Sequence, residues 1–156
     1  PVRAKLGGKV LAVSAAAEHS CAVVEGGAVW CWGDNYRGKL GNGALRDEGP
    51  LQTKPLSGPA IAVSVGRFHS CAIAEDRSLW CWGANDGGQL GTGNQEHQGM
   101  PREIMADVTS VGAGLTFTCA LDGRRAVWCW GDNKSGALGH DSGNRLTPSE
   151  TAVPCP

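Results

Sequence analysis

Six of the seven cysteines form three pairs, each with the same separation of ten positions. A histidine stands two residues before the first cysteine of two pairs, at His19 and His69, whereas Phe117 holds that place in the third. Residues of these types could bind zinc, exchange thiols for disulfides or form structural cross-links. The pairs are Cys21 with Cys31, Cys71 with Cys81, and Cys119 with Cys129.

The spacing and the neighbours of these cysteines favour cross-links. Structural zinc sites usually take ligand pairs about two to four residues apart, and the sequence has no Cys-x-x-Cys. A redox-active cysteine needs an accessible thiolate, yet two tryptophans enclose the second cysteine of every pair. The turn residues Asp34 and Asn35 and their equivalents offer too few oxygens for calcium. We therefore predict no metal and no cofactor, and we expect His19 and His69 to bond to backbone.

The cysteine pairs belong to a repeat that fills the chain. The first cysteines of the pairs stand 50 and 48 residues apart, in "VSAAAEHSCAVV", "VSVGRFHSCAIA" and "VGAGLTFTCALD". Unit boundaries are expected near Pro50 and Pro101. The repeat thus predicts three units, the last with a C-terminal tail: residues 1–50, 51–100 and 101–156.

Each cysteine pair fits a β-hairpin. Valine, isoleucine, threonine and tryptophan cluster in short runs bounded by glycine, proline, asparagine and aspartate, which is typical of strands. A three-residue turn at 25–27 sets Cys21 opposite Cys31, where Cβ atoms lie about 4.5–5.5 Å apart. We therefore predict three structural disulfides. The seventh cysteine, Cys155, has no counterpart and is expected to be unpaired or intermolecular.

The predicted strands carry apolar residues on both faces. Because side chains alternate along a strand, Val29 and Cys31 lie on one face and Trp30 and Trp32 on the other. A half-exposed strand would alternate apolar with polar residues, so other sheets should cover both faces. Small sheets stacked face to face at this period are typical of β-propeller blades.

The most specific pattern follows each second cysteine, as tryptophan-glycine, then asparagine, then glycine-x-leucine-glycine. It resembles the repeats of the regulator of chromosome condensation family, and the resemblance covers all three units. The resemblance implies an all-β propeller of four-stranded antiparallel blades, typically seven, of which this chain would supply three. The matching residues are Trp32, Gly33, Asn35, Gly38, Leu40 and Gly41, then Trp82, Gly83, Asn85, Gly88, Leu90 and Gly91, then Trp130, Gly131, Asn133, Gly136, Leu138 and Gly139.

Members of this family act as scaffolds for protein contacts, and the eponymous member is a nucleotide exchange factor on chromatin. The cysteine pairs are more similar to secreted bacterial relatives, which include inhibitors of β-lactamases. Closed propellers have about four to eight blades, so three leave two sheet faces bare. We expect a partial propeller that is completed by further chain or by self-association as a homo-oligomer.

Composition excludes several classes of partner. The formal charge is -1, and no basic tail or arginine stripe is present, so nucleic acid is not expected. Apolar stretches fall short of the roughly 20 residues that span a bilayer.

Seven cysteines favour an oxidising compartment, and we expect an extracellular, periplasmic or cell-surface location. No catalytic motif occurs and the four histidines form no recognisable constellation, so we do not expect an enzyme.

Function is expected where the units differ, because the shared residues are occupied with the fold. The stretches 44–54, 94–103 and 141–151 diverge, and so do the residues after each turn asparagine. The leading hypothesis is a non-catalytic extracellular or cell-surface scaffold that binds a protein. The alternatives are carbohydrate binding, secreted inhibition of an enzyme such as a β-lactamase, and, less favoured, nucleotide exchange. The candidate binding residues are Tyr36, Arg37, Asp86 and Lys134.

Overall fold

The computed structural model describes residues 4–44, 48–53, 56–140 and 143–151. Over these ranges the chain forms three antiparallel sheets of four strands. The first blade contains β1 (Val10–Ala15), β2 (His19–Val24), β3 (Val29–Gly33) and β4 (Glu48–Gln52); the second contains β5 (Ala60–Val65), β6 (His69–Ala74), β7 (Leu79–Gly83) and β8 (Gln98–Met105); the third contains β9 (Val108–Ala113), β10 (Phe117–Asp122), β11 (Val127–Gly131) and β12 (Arg145–Glu150).

Each blade is a meander in which consecutive strands are neighbours. The predicted all-β fold of three four-stranded antiparallel blades is confirmed. The unit boundaries remain a prediction; Pro50 and Pro101 lie inside β4 and β8. None of the described residues forms a helix that is long and apolar enough to cross a membrane.

The central hairpin of every blade has the predicted register. Cys21 faces Cys31, and Ala22 faces Trp30. The amide of Val24 donates to the carbonyl of Ala28 at 3.0 Å, which closes the turn. Disulfides join the facing cysteines in all three blades, as Cys21 with Cys31, Cys71 with Cys81, and Cys119 with Cys129.

The blades stack so that the disulfide face of one meets the tryptophan face of the next. In the first interface the Cys21–Cys31 disulfide and Leu40 pack with Trp82 of the second blade. In the second interface the Cys71–Cys81 disulfide packs with Trp130 of the third blade. The expectation that both faces are covered therefore holds for the middle blade. In the described chain no blade packs on the tryptophan face of the first blade or the disulfide face of the third.

The first strand of each blade contacts the first strand of the next. β1 contacts β5, and β5 contacts β9. Ser14 Oγ accepts a hydrogen bond from the Val65 amide at 3.0 Å, and Ser64 Oγ accepts one from the Ala113 amide at 3.0 Å. One serine in each of the first two blades thus ties its first strand to the first strand of the next blade.

The loop after the third strand of each blade is clamped by its asparagine. Asn35 Oδ1 accepts from the Leu40 amide at 3.0 Å, and its Nδ2 donates to the Ala44 carbonyl at 2.9 Å. Asn85 and Asn133 accept equivalent bonds from the Leu90 and Leu138 amides, each at 2.9 Å. The clamp gives the asparagine of the repeated pattern its structural role and holds the leucine in the core.

A glycine that ends this loop lies against the tryptophan of the next blade. Gly91 has φ +80°, and a Cβ placed there would lie 2.7 Å from Trp130 Nε1. Gly93 has nearly the same φ, +82°, but its Cβ would meet only Thr147 Cγ2, at 3.7 Å. The two glycines share a backbone conformation and differ in the space around them.

We predict that Gly91→Ala destabilises the chain more than Gly93→Ala. The left-handed conformation strains alanine and lowers the free energy of unfolding of both variants by about 1–2 kcal/mol. Overpacking against Trp130 lowers that of Gly91→Ala by about 1–3 kcal/mol more. Urea unfolding followed by tryptophan fluorescence measures both free energies. Equal losses would show that the close approach of the loop to Trp130 is not a constraint.

Candidate functional site

A shared backbone carbonyl joins each blade to the next. The Lys39 carbonyl accepts hydrogen bonds from Ser70 Oγ and from Trp82 Nε1, both at 2.9 Å. The arrangement recurs at the second interface, where the carbonyl is that of Gln89 and the donors are Thr118 Oγ1 at 2.7 Å and Trp130 Nε1 at 2.9 Å. All these residues are buried. We call this arrangement the blade joint.

The histidines of the cysteine pattern belong to the blade joint. His19 Nε2 lies 2.7 Å from Ser70 Oγ, and His69 Nε2 lies 2.8 Å from Thr118 Oγ1. The expectation of a backbone partner is therefore wrong, because each ring reaches a hydroxyl of the next blade. Since that hydroxyl donates its own hydrogen to the carbonyl, it accepts from the histidine Nε2–H. Within the described chain no donor reaches Nδ1 of either ring.

Burial keeps both histidines neutral. Desolvation, assisted by the charge on Lys39, lowers the pKa of His19 from 6.5 to about 4. Desolvation also lowers the pKa of His69 to about 3, with a smaller effect of His19. In the described ranges no three histidine, cysteine, aspartate or glutamate side chains are grouped to hold a metal ion. The histidines therefore act as neutral hydrogen-bond donors between blades.

Three of the four candidate binding residues meet at one end of the blades. This turn end comprises the loops between the first and second strands and between the third and fourth. The Arg37 guanidinium lies over the Tyr36 ring, 4.8 Å from its centroid, and pairs with Asp86 of the second blade. Tyr36 remains 56% exposed, so an aromatic ring held by a cation faces solvent beside the blade joint.

Lys134 occupies the equivalent turn of the third blade but takes part in a different contact. Its Nζ lies 3.8 Å from Asp132 Oδ2 of the same blade, and its side chain is 84% exposed. Asp86, by contrast, has His97 as a second neighbour, with 3.8 Å between Oδ1 and Nε2. Burial and then Arg37 lower the pKa of His97. Because a lowered pKa favours neutral His97, Arg37 is the positively charged partner of Asp86.

The turn end also holds residues that were not predicted as binding residues. The Arg67 guanidinium lies 5.0 Å from the centroid of the Phe68 ring and 4.0 Å from Glu18 Oε1 of the first blade. Glu18 and Asp34 both pair with the buried ammonium of Lys39. A signal was present in the sequence, since "AAE", "GRF" and "GLT" differ at this position of the three units.

Some predicted positions lie outside the described residues. They are Cys155 and parts of the diverging stretches 44–54 and 141–151. The stretch 94–103 is described, and its Gly99 carbonyl accepts from the Gly43 amide of the first blade at 2.9 Å. This loop therefore belongs to the contact between blades as well as to the surface.

The sequence of the repeat matches a known family. One model of the regulator of chromosome condensation (RCC1) repeat matches residues 26–73 and 76–121, and a second matches 10–39, 60–89 and 108–137. The chain belongs to the RCC1 repeat family. No curated protein sequence matches it. The second model covers, in each unit, the strands and turn that form the blade joint.

Solved structures of RCC1-like propellers share the fold. Prp20p of Saccharomyces cerevisiae is 18% identical, with a TM-score of 0.83 over 97% of this chain and 41% of that one. The same yeast protein bound to Kap60 is 17% identical, with a TM-score of 0.82 over 97% of this chain and 39% of that one. Human WBSCR16 is 21% identical, with a TM-score of 0.79 over 90% of this chain and 39% of that one. The chain thus spans about two-fifths of the length of these proteins.

The histidines of the RCC1 joint predict that the chain loses stability in acid. The unfolded chain binds protons near the ordinary pKa of 6.5, whereas folded His69 does so only near 3. The free energy of unfolding therefore falls as the pH drops below about 6.5, by on the order of 3 kcal/mol for His69 at pH 4. Urea unfolding at several pH values measures the slope.

His69→Gln provides the control, because glutamine keeps an N–H donor and does not titrate. The variant should retain the acid loss due to carboxylates such as Asp122, whose pKa is lowered chiefly by the hydrogen bond from Trp128. It should lack the part due to His69. The same pH dependence in both proteins would contradict a neutral, buried His69.

Proposed function

We propose that this chain is a non-catalytic module that binds a protein through its turn end. The observation that carries the proposal is the group of Tyr36, Arg37 and Asp86, in which one exposed ring is fixed across two blades. Tyrosine and arginine are enriched among the residues that dominate interface energies. Side chains already held in place lose less entropy on binding, which favours affinity.

The relatives support a protein as the ligand. Yeast RCC1 (Prp20) was solved bound to Kap60, and Prp20p was described with its binding to Gsp1p and histones. Those partners are partners of the yeast protein. From the shared fold we infer for this chain only that it also binds a protein. An RCC1-type scaffold with a built surface at one end of its blades fits that mode.

Carbohydrate binding is the weaker alternative, because a sugar site in every blade needs the same exposed group in every blade. The equivalent turn positions hold Tyr36, Asp86 and Lys134, which differ in charge and shape. A cavity at the turn end of the third blade, beside Leu115 and Lys134, has a volume of about 90 Å³. Small-molecule sites usually enclose about 300–1,000 Å³.

We further propose an extracellular, periplasmic or cell-surface location. Three disulfides lie inside the blades, and two of them are fully buried between blades. Disulfides of this structural kind persist in oxidising compartments. An inhibitor of a secreted enzyme is one form that such a protein-binding module could take.

Two matched arginine variants test the turn end. Arg37 and Arg77 both have positive φ, 63° and 66°, and both pair with an aspartate of the next blade, Asp86 and Asp107. Arg77 lies on a hairpin at the opposite end of the blades. Arg37→Ala and Tyr36→Ala should each weaken binding by about 2 kcal/mol, or about 30-fold, while Arg77→Ala leaves it within about twofold.

The measurement starts with cross-linking of the intact chain to secreted and surface proteins of its source. Each captured protein is then purified and titrated against the three variants by calorimetry. Equal affinities for Arg37→Ala and Arg77→Ala would refute the turn end as the binding surface. Specific, saturable binding on a glycan array that Tyr36→Ala abolishes would replace the protein with a carbohydrate as the ligand.

A further inference from the structure

The third blade presents an unused copy of the acceptor side of the blade joint. The carbonyl residues of the two internal joints, Lys39 and Gln89, are 0% and 1% exposed. Ala137 holds the equivalent place between Gly136 and Leu138 and is exposed to solvent. In the described chain no donor reaches its carbonyl. Leu138 is nevertheless fully buried, so the turn has the same shape as the other two.

The first blade presents an unused copy of the donor side. Ser20 faces Trp32 across β2 and β3, as Ser70 faces Trp82 in the second blade. Trp82 and Trp130 are fully buried, whereas Trp32 and Ser20 are only half-buried. Within the described residues the Trp32 indole N–H has no acceptor. The two bare faces are therefore the two halves of one interface that the chain already forms twice.

We propose that a second copy of this chain covers both faces. The Ala137 turn of one copy docks on the Trp32 face of the other, and its carbonyl accepts from Trp32 Nε1 and Ser20 Oγ. The same joint forms reciprocally, because each copy carries one donor side and one acceptor side. Two copies then close a ring of six blades, within the about four to eight found in propellers.

The argument for a second copy is continuity with the internal interface. Both bare faces have the apolar character of their buried equivalents, since one carries Trp30 and Trp32 and the other Phe117 and the Cys119–Cys129 disulfide. The charges at the turn end also allow the contact, because Ser135 and Tyr36 would take the places of Arg37 and Asp86 of the first joint. At the hairpin end Arg125 and Lys9 would take the places of Arg77 and Asp107, so two positive charges would meet there. Both side chains are exposed, and solvent and salt screen their repulsion.

Two hydrogen bonds of the internal interfaces have no equivalent in the new one, and one of them makes the proposal testable. Gly112 replaces the serine that accepts from the next blade. Phe117 replaces the histidine that bonds to the hydroxyl in each internal joint, so Ser20 lacks its imidazole partner. Phe117→His should restore that bond at both new joints of the dimer and strengthen association about 5- to 150-fold.

The experiment is sedimentation velocity with light scattering on the 156-residue chain, over a concentration range of about 1–200 µM. A Cys155→Ser background excludes a covalent dimer. We expect a mass that rises with concentration and stops at two copies. Ala137→Asp places a charge in the joint and should weaken the dimer at least 100-fold, and Trp32→Phe, which removes the N–H donor together with part of the ring, at least tenfold.

Met100→Asp is the matched control for charge insertion. Met100 is 52% exposed on β8 of the middle blade, away from both bare faces. It should leave association unchanged, and near-ultraviolet circular dichroism checks that each variant is folded. A chain that stays monomeric throughout, or a dimer that Ala137→Asp and Met100→Asp affect alike, would overturn the proposal. In the first case blades from another source would be the better candidate for these faces.

Discussion

At each interface between blades one backbone carbonyl, that of Lys39 or Gln89, constrains the shape of its own turn and the residues that face it from the next blade. It receives an indole N–H and a hydroxyl from the next blade in a buried interface. Leaving either donor without a partner there would cost about 1–3 kcal/mol. The turn that carries the carbonyl must therefore have a fixed shape, which the asparagine clamp and the left-handed glycines supply. The glycine-x-leucine-glycine pattern is thus the backbone of an interface between blades.

The disulfides cross-link strands within single blades, whereas the blade joint holds neighbouring blades together. A small sheet has little interior of its own, and most of its apolar surface is buried only by stacking. Each disulfide joins two strands inside a blade, and those of the first and second blades also present a compact apolar surface to the tryptophan of the next blade. Closing a loop of about ten residues restricts the unfolded chain by roughly 2–3 kcal/mol. Cross-linking within blades thus supplements packing between them.

What could be predicted from the sequence is what lies within one blade. Strand alternation and a three-residue turn determine that Cys21 faces Cys31, because both rules are local. The partner of His19 could not be found in this way, since it is Ser70, 51 positions along the chain and in another sheet. The pairing of Arg37 with Asp86 escaped prediction for the same reason, although both residues were named as candidates. Which residues of neighbouring blades meet depends on how the blades stack, and the sequence of a single repeat does not show that.

The same separation explains how a repeat with so many fixed residues can still offer a variable surface. In the loop after Gly33 the clamp uses Asn35 and the amide of Leu40, and the joint uses only the carbonyl of residue 39. The side chains of Tyr36 and Arg37 lie between these fixed points and contribute to neither. Aspartate and glycine, or lysine and serine, occupy the same two positions in the other blades without altering the clamp. The side chains at these two positions can therefore change while the backbone that supports them stays the same.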